Sequence, residues 1–143
     1  MIDLSKLYQL AEKENIEVDC FDLGKRDALS LMDNEGDCYI AIDPYKLRSP
    51  QEEREKLAHE LGHCITGSFY SIHTAVDNRQ RHENRADKWA VKQLIPVGEL
   101  DAAVASGCTE LWELAEHFGV TEQFMRKAVC YYVHGNMATE LYF

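Results

Sequence analysis

Apolar positions recur along this chain with two spacings, and each spacing predicts a different kind of element. Recurrence every three or four residues predicts helices. Leu4, Leu7, Tyr8, Leu10 and Ala11 form one face of a helix over residues 3–14, opposite Lys6, Glu12, Lys13 and Glu14. Shorter, alternating runs predict strands at Ile16 to Phe21, Ala28 to Met32 and Cys38 to Ile42, with Asp33-Asn34-Glu35-Gly36 as a hairpin turn between the last two. Ser49-Pro50-Gln51-Glu52 starts the next helix: serine caps, proline suits the first turn, and Glu52 holds the capping-box position. That helix runs over about 50–65 and stops before Gly67. Residues 66–78 read as an irregular connection holding Tyr70, His73 and Asp77, followed by a helix over about 79–95 that Pro96 ends. Three more helices follow: Glu99 to Ser106, Glu110 to Phe118 capped by Thr109, and one capped by Thr121 that reaches about Val133. The tail from Asn136 to Phe143 reads as frayed or laid across a neighbour. The pattern predicts an α+β fold, mostly helical, with a small antiparallel sheet packed against the 50–65 helix.

That helix has two faces of different chemistry. Leu57, Leu61, Cys64 and Ile65 make the core stripe. His59 and His63, four apart, stand one turn above each other and present two imidazoles to one point. Two imidazole nitrogens at about 2.0–2.1 Å supply half of a tetrahedral zinc site. Glu60 sits beside them, where a carboxylate can take a proton from water that the metal has acidified. Gly62 costs a helix about 0.5–1 kcal/mol relative to alanine, which makes sense if another backbone passes close by.

The 79–95 helix supplies the complement. Its inward stripe is Glu83, Ala86, Asp87, Ala90, Val91 and Leu94, so two carboxylates fall on small, apolar ground and need partners. Glu83 as third metal ligand and Asp87 as acceptor for a ligand imidazole's other N–H would give them partners. Ala86 and Ala90 would let this helix approach Gly62. His82 is the rival ligand, about 100° off the stripe.

Composition narrows the choice of function. The chain has 143 residues, 45% hydrophobic and 28% charged, which fits one globular domain, 1–143, with a catalytic core over about 1–96 and C-terminal helices over about 97–134. A net charge of −10 argues against nucleic acid or an anionic membrane as the main partner. No apolar run is long enough for a membrane span, and no signal peptide is visible. Cys20, Cys38, Cys64, Cys108 and Cys130 are scattered and form no C-x-x-C pair, as expected of reduced thiols in a cytoplasmic protein. Residues 109–130 mimic a helix-turn-helix core, but Glu110, Glu113, Glu116 and Glu122 face only Arg126 and Lys127, so a DNA-reading role is disfavoured.

Taken together, Tyr39-Ile40-Ala41-Ile42, Arg54 through His63, Glu83-x-x-Ala86-Asp87-x-x-Ala90 and Leu94-Ile95-Pro96 resemble the ImmA/IrrE-type zinc metallopeptidases of bacteria, phages and mobile elements. The likeness spans residues 38–96, with a weaker echo from Leu114-Ala115 to Val120. It implies a zincin-like fold and a gluzincin-like site, with His59, His63 and Glu83 on Zn2+ and Glu60 as general base. It also implies a cytosolic endopeptidase that cleaves a helix-turn-helix repressor encoded nearby. The alternative is a zinc-stabilised module that binds such a repressor without cutting it. Strand 38–42, if its edge is exposed, would take an extended substrate through Tyr39, Ile40 and Ala41. The oxyanion-stabilising residue stays open among Tyr70, His73, His82, Tyr131 and His134.

Overall fold

A computed structural model describes residues 2–70 and 74–141 of the chain. Helix α1 (Leu4–Lys13) is capped by the Asp3 carboxylate, which accepts from the Lys6 amide. Strands β1 (Glu17–Cys20), β2 (Ala28–Met32) and β3 (Cys38–Ile42) form one sheet. Helix α2 (Pro50–Thr66) leads through residues 67–75 to α3 (Val76–Leu94), and α4 (Val97–Ala105), α5 (Leu111–Phe118) and α6 (Glu122–His134) follow. A single 3-10 turn, Thr139–Leu141, closes the described chain.

The helix signals act much as their chemistry requires. Ser49 accepts from the Glu52 amide at the start of α2, and Gly67 ends it in the left-handed region at φ 68°. The Glu52 carboxylate accepts from the Arg48 amide, one residue ahead of the usual capping-box partner. Thr121 caps α6 by accepting from the Phe124 amide. Two boundaries differ from the sequence reading. Helix α3 starts at Val76, three residues early and without a side-chain cap, and α5 starts at Leu111 with Glu110 rather than Thr109 at its N-cap. His73 lies outside the described residues, as does the side chain of Asp77.

The sheet corrects a larger expectation. Its order is β1-β3-β2, and it is mixed rather than antiparallel: β2 pairs with β3 antiparallel through the hairpin, while β1 pairs with β3 parallel. Alternation fixes which face of a strand is buried, not which strand it lies beside. The most apolar strand, with Ile40 and Ile42 each 1% exposed, takes the centre, and the strand carrying Glu17 and Asp19 goes to an edge. Strand 38–42 therefore has both edges paired. The expected approach of a substrate to an open edge at Tyr39, Ile40 and Ala41 is closed.

Helix α2 packs on the inner face of this sheet, with α1 beside it, and on α3 along its other side. Leu57 and Leu61 of α2, Ile40 and Ile42 of β3, and Ala90, Val91 and Leu94 of α3 share one hydrophobic cluster that also takes in Phe118, Met125 and Ala128. Ile65, in the last turn of α2, is 38% exposed and does not complete the stripe. A buried guanidinium ties distant segments together: Arg54 donates to the Ile2 carbonyl at 2.9 Å and to the Phe118 and Gly119 carbonyls at 2.6 and 2.9 Å. Those last acceptors close the C-terminus of α5, where a cation also suits the helix dipole.

Candidate metal centre

Gly62 sets the distance between the two helices of the site. A Cβ there would stand 2.7 Å from the Ala86 carbonyl oxygen and 3.0 Å from the Ala86 Cα, so only glycine lets α3 lie this close to α2. Neither side chain at the crossing, glycine's hydrogen or alanine's methyl, holds the backbones apart. That approach brings Glu83 and Asp87 of α3 onto the imidazoles of α2.

The contacts are specific about which nitrogen does what. His59 Nδ1 donates to Asp87 Oδ1 at 2.7 Å, and His63 Nδ1 donates to the Ser68 carbonyl at 2.5 Å. A carbonyl can only accept, so the His63 Nδ1 proton is fixed, and an ionised Asp87 fixes that of His59. Both Nε2 atoms are left for other work, and both point at one carboxylate: His59 Nε2 is 2.8 Å from Glu83 Oε2, and His63 Nε2 is 3.1 Å from Glu83 Oε1. In neutral imidazoles these are lone pairs aimed at lone pairs. Such an arrangement needs positive charge between them, either protons or a metal ion.

The titration shifts say the same in another form. Burial opposes charge on His59, but hydrogen bonds to Asp87 and Glu83 outweigh it and raise its pKa to about 9. His63 is also raised, burial again opposing and Glu83 and the Ser68 carbonyl prevailing. Burial would raise Glu83, yet the two imidazoles hold its carboxyl far below the usual range. Asp87, likewise buried, is lowered by His59 and by Lys127.

The donor set fits a metal. The ligand atoms of His59, His63 and Glu83 all lie within 4.8 Å of one another. Ligands in a tetrahedral zinc shell sit roughly 3.3 Å apart, given bond lengths of about 2.0–2.1 Å, and the two nitrogen–oxygen separations, 2.8 and 3.1 Å, are close to that. Two neutral imidazoles and one carboxylate are also a familiar zinc set, with a fourth position left open.

Glu60 completes the centre without joining the cluster. It is 8% exposed, and its carboxylate accepts no hydrogen bond among the described residues. It lines a cleft of about 470 Å³ with His63, Glu83, Phe69, Tyr70 and the β2 residues Leu29, Ser30 and Leu31. A second cleft, on the far side of His59, is walled by α6 through Phe124 and Lys127.

Other candidates fall elsewhere. His82 points away from the cluster and stacks on Tyr70, ring centroids 6.2 Å apart, with its buried Nδ1 unpaired among the described residues. Tyr131 packs edge-on against Tyr132, and neither it nor His134 lines the two clefts. Of the four described residues considered for the oxyanion, Tyr70 alone lines the cleft that holds Glu60; burial and the facing Glu83 carboxylate raise its pKa.

Two partners had no sequence signal. The Ser68 carbonyl is a backbone atom, and Lys127 reaches Asp87 at 3.5 Å from a helix 40 residues on.

Comparison with known families gives one result. A family model described as the IrrE N-terminal-like domain (Peptidase_M78) matches residues 11–129, which includes all four residues of the cluster and Glu60. No curated protein matches the chain.

Proposed function

From the premise that this chain belongs to the IrrE N-terminal-like peptidase family, we propose that it is a zinc-dependent endopeptidase with a zincin-like active site. The observation that carries the reading is the convergence of the His59 and His63 Nε2 atoms on Glu83, with unpaired Glu60 in the same cleft. His59, His63 and Glu83 would hold Zn2+, and Asp87 would keep the His59 imidazole in the tautomer that offers Nε2. When bound, the metal supplies Lewis acidity towards a peptide carbonyl and a water molecule. Glu60 then accepts the proton of the attacking water and returns it to the leaving amine. Tyr70, which lines the same cleft, is our candidate to donate its hydroxyl to the carbonyl oxygen as charge develops on it.

The substrate would be held by β2 rather than by β3. The Asp43 amide donates to the Asp27 carbonyl and the Asp33 amide to the Asp37 carbonyl, which fixes the phase of the antiparallel ladder. Leu29 and Leu31 then bond inward to β3, and Ala28, Ser30 and Met32 turn their N–H and C=O groups to the free edge. Three consecutive strand residues line the cleft, as an edge does and a face cannot, because side chains alternate. An extended segment could add to that edge beside Glu60.

We read the chain as one cytoplasmic domain, core 1–96 with helices 97–134 packed on it, and its substrate as a helix-turn-helix repressor encoded nearby. Among the described residues no helix is long and apolar enough to cross a membrane. The decisive experiment compares wild type with Glu60→Gln, measuring zinc content and peptide hydrolysis together. We expect full zinc occupancy and a loss of hydrolysis of at least about 10³-fold. Undiminished hydrolysis in a zinc-loaded Glu60→Gln would overturn the assignment, and equal repressor inactivation by both proteins without cleavage would favour the binding module.

A further inference from the structure

The chain carries a net charge of −10, yet one concavity on its surface is strongly basic. Lys25, Arg26, Lys46 and Arg48 line a cavity of about 610 Å³ that holds a single carboxylate, Asp27. Two of these charges are already spent. Lys46 pairs with Asp43 at 2.6 Å and Asp22 at 3.6 Å, and Asp27 pairs with Lys56 at 3.4 Å. Lys25, Arg26 and Arg48 make no ion pair or side-chain hydrogen bond among the described residues. Three uncompensated cations in one hollow of an acidic protein are a site for an anion.

Its position says which kind. The cavity meets the peptidase cleft on both sides: Arg26 also lines the cleft of Glu60 and His63, and Arg48 also lines the one that reaches His59 and Glu83. It begins at Ala28, where β2 begins, so a segment lying along the free edge at Ser30 runs straight into it. At about 3.3 Å per residue, the step from Ser30 to Arg26 is three to five residues of extended chain. Long polyanions need a basic stripe, and the surrounding charge repels them. A short acidic run within a peptide meets the basin alone.

We propose that Lys25, Arg26 and Arg48 form a specificity subsite for acidic side chains, three to five residues from the scissile bond on the side facing the start of β2. The proposal rests on the peptidase reading for its geometry, but its test does not depend on turnover. Zinc-loaded Glu60→Gln is titrated with fluorescein-labelled dodecapeptides that share an apolar centre and carry three glutamates or three glutamines at that spacing, on either flank. Exposed pairs are individually weak and three of them add, so the glutamate peptide should bind about ten-fold more tightly on one flank only. The preference should fade as salt rises and vanish in a Lys25→Gln/Arg26→Gln/Arg48→Gln background that keeps its zinc and its circular dichroism. Lys25→Arg/Arg26→Lys/Arg48→Lys should retain it.

Equal affinities for the two peptides, a preference on both flanks alike, or one that survives the triple glutamine variant would overturn the subsite. A single-stranded oligonucleotide of equal charge binding more tightly than the glutamate peptide would assign the basin to nucleic acid instead. Wild-type protein that binds with this preference but never cleaves would sink the peptidase reading and leave the subsite standing.

Discussion

The α2–α3 pair and the three-stranded sheet border the same cleft, one offering side chains and the other offering backbone. A helix spends its N–H and C=O groups on itself, so α2 and α3 can contribute only what stands on their surfaces: two imidazoles, two carboxylates and the Glu60 carboxylate. The outer edge of β2 contributes amides and carbonyls that are the same whatever its side chains are. On the proposed reading, chemistry is concentrated in a few irreplaceable residues, and grip is spread over a strand that tolerates substitution. Each prediction below separates the two.

The largest effect belongs to the helix pair. Glu83→Ala removes one ligand and leaves two imidazoles without the carboxylate they face, 2.8 and 3.1 Å away. Zinc stoichiometry in purified protein should fall well below one, and kcat/KM should drop by at least about 10³-fold, roughly 4 kcal/mol. Glu83→Ala with unchanged zinc content would move the third ligand elsewhere, and His82 is too far round the helix, stacked on Tyr70, to replace it without repacking.

Next comes the contact that lets the helices meet. In Gly62→Ala the new methyl would press on the Ala86 carbonyl oxygen and Cα, which are backbone and cannot rotate aside. Overpacking of this kind costs about 1–3 kcal/mol, read as a lower Tm. Because α3 carries Glu83 and Asp87, zinc affinity should fall with it. A surface glycine such as Gly98, with nothing within 4 Å of its would-be Cβ, should accept alanine with neither change.

These two positions also show what could be read from the chain. The cluster of His59, His63, Glu83 and Asp87, and the role of Gly62, follow from spacing within two helices, and spacing is local. The caps at Ser49 and Thr121 were legible for the same reason. The strand segments were placed almost to the residue, but the order β1-β3-β2 was not, because it depends on which strand wins the centre of the core. That single long-range fact closed the edge at residues 38–42 and moved the proposed substrate edge to residues 28–32. The Ser68 carbonyl and Lys127 were invisible for a related reason: each is paired with the site by tertiary folding, and neither carries a pattern of its own.

Ser30→Pro tests the sheet without touching the helices. Its N–H faces the free edge, so proline removes an outward donor and no ladder bond, a place where a strand accepts it. One hydrogen bond is worth about 0.5–1.5 kcal/mol, so KM for an extended peptide should rise about three- to ten-fold with kcat and zinc content unchanged. Leu29→Pro, which breaks a bond to β3, should instead lower Tm. If Ser30→Pro leaves KM where it was, the substrate does not add to this edge.

The smallest effect shows only once the metal is removed, and it sorts the two regions by sign. His59, with its pKa raised from 6.5 to about 9, stabilises the fold fully below 6.5, and that contribution is lost as pH rises through about 9. His63 shifts in the same direction. In the sheet region, Asp43 moves the other way. Hydrogen bonds from the Lys46 ammonium and the Leu23 and Tyr45 amides hold its carboxyl below the ordinary value of 3.8. Its contribution is present above that value and fades as pH falls through the lowered one. Glu83 and Asp87 are lowered too, so the acid limb is shared, but the decline from pH 6.5 to about 9 is carried by the two histidines of the helix pair. Thermal melts of chelator-treated protein, from about pH 3 to about pH 10, should show Tm declining between 6.5 and 9. Zinc in place of the protons on Nε2 should flatten that limb and leave the acid one. Asp43→Asn should trim only the acid limb, and Asp87→Asn should weaken the alkaline one. A metal-free protein whose Tm stays level from 6.5 to 9 would mean that no proton sits between His59 and Glu83, and with it would go the argument that this carboxylate and these imidazoles need a cation between them.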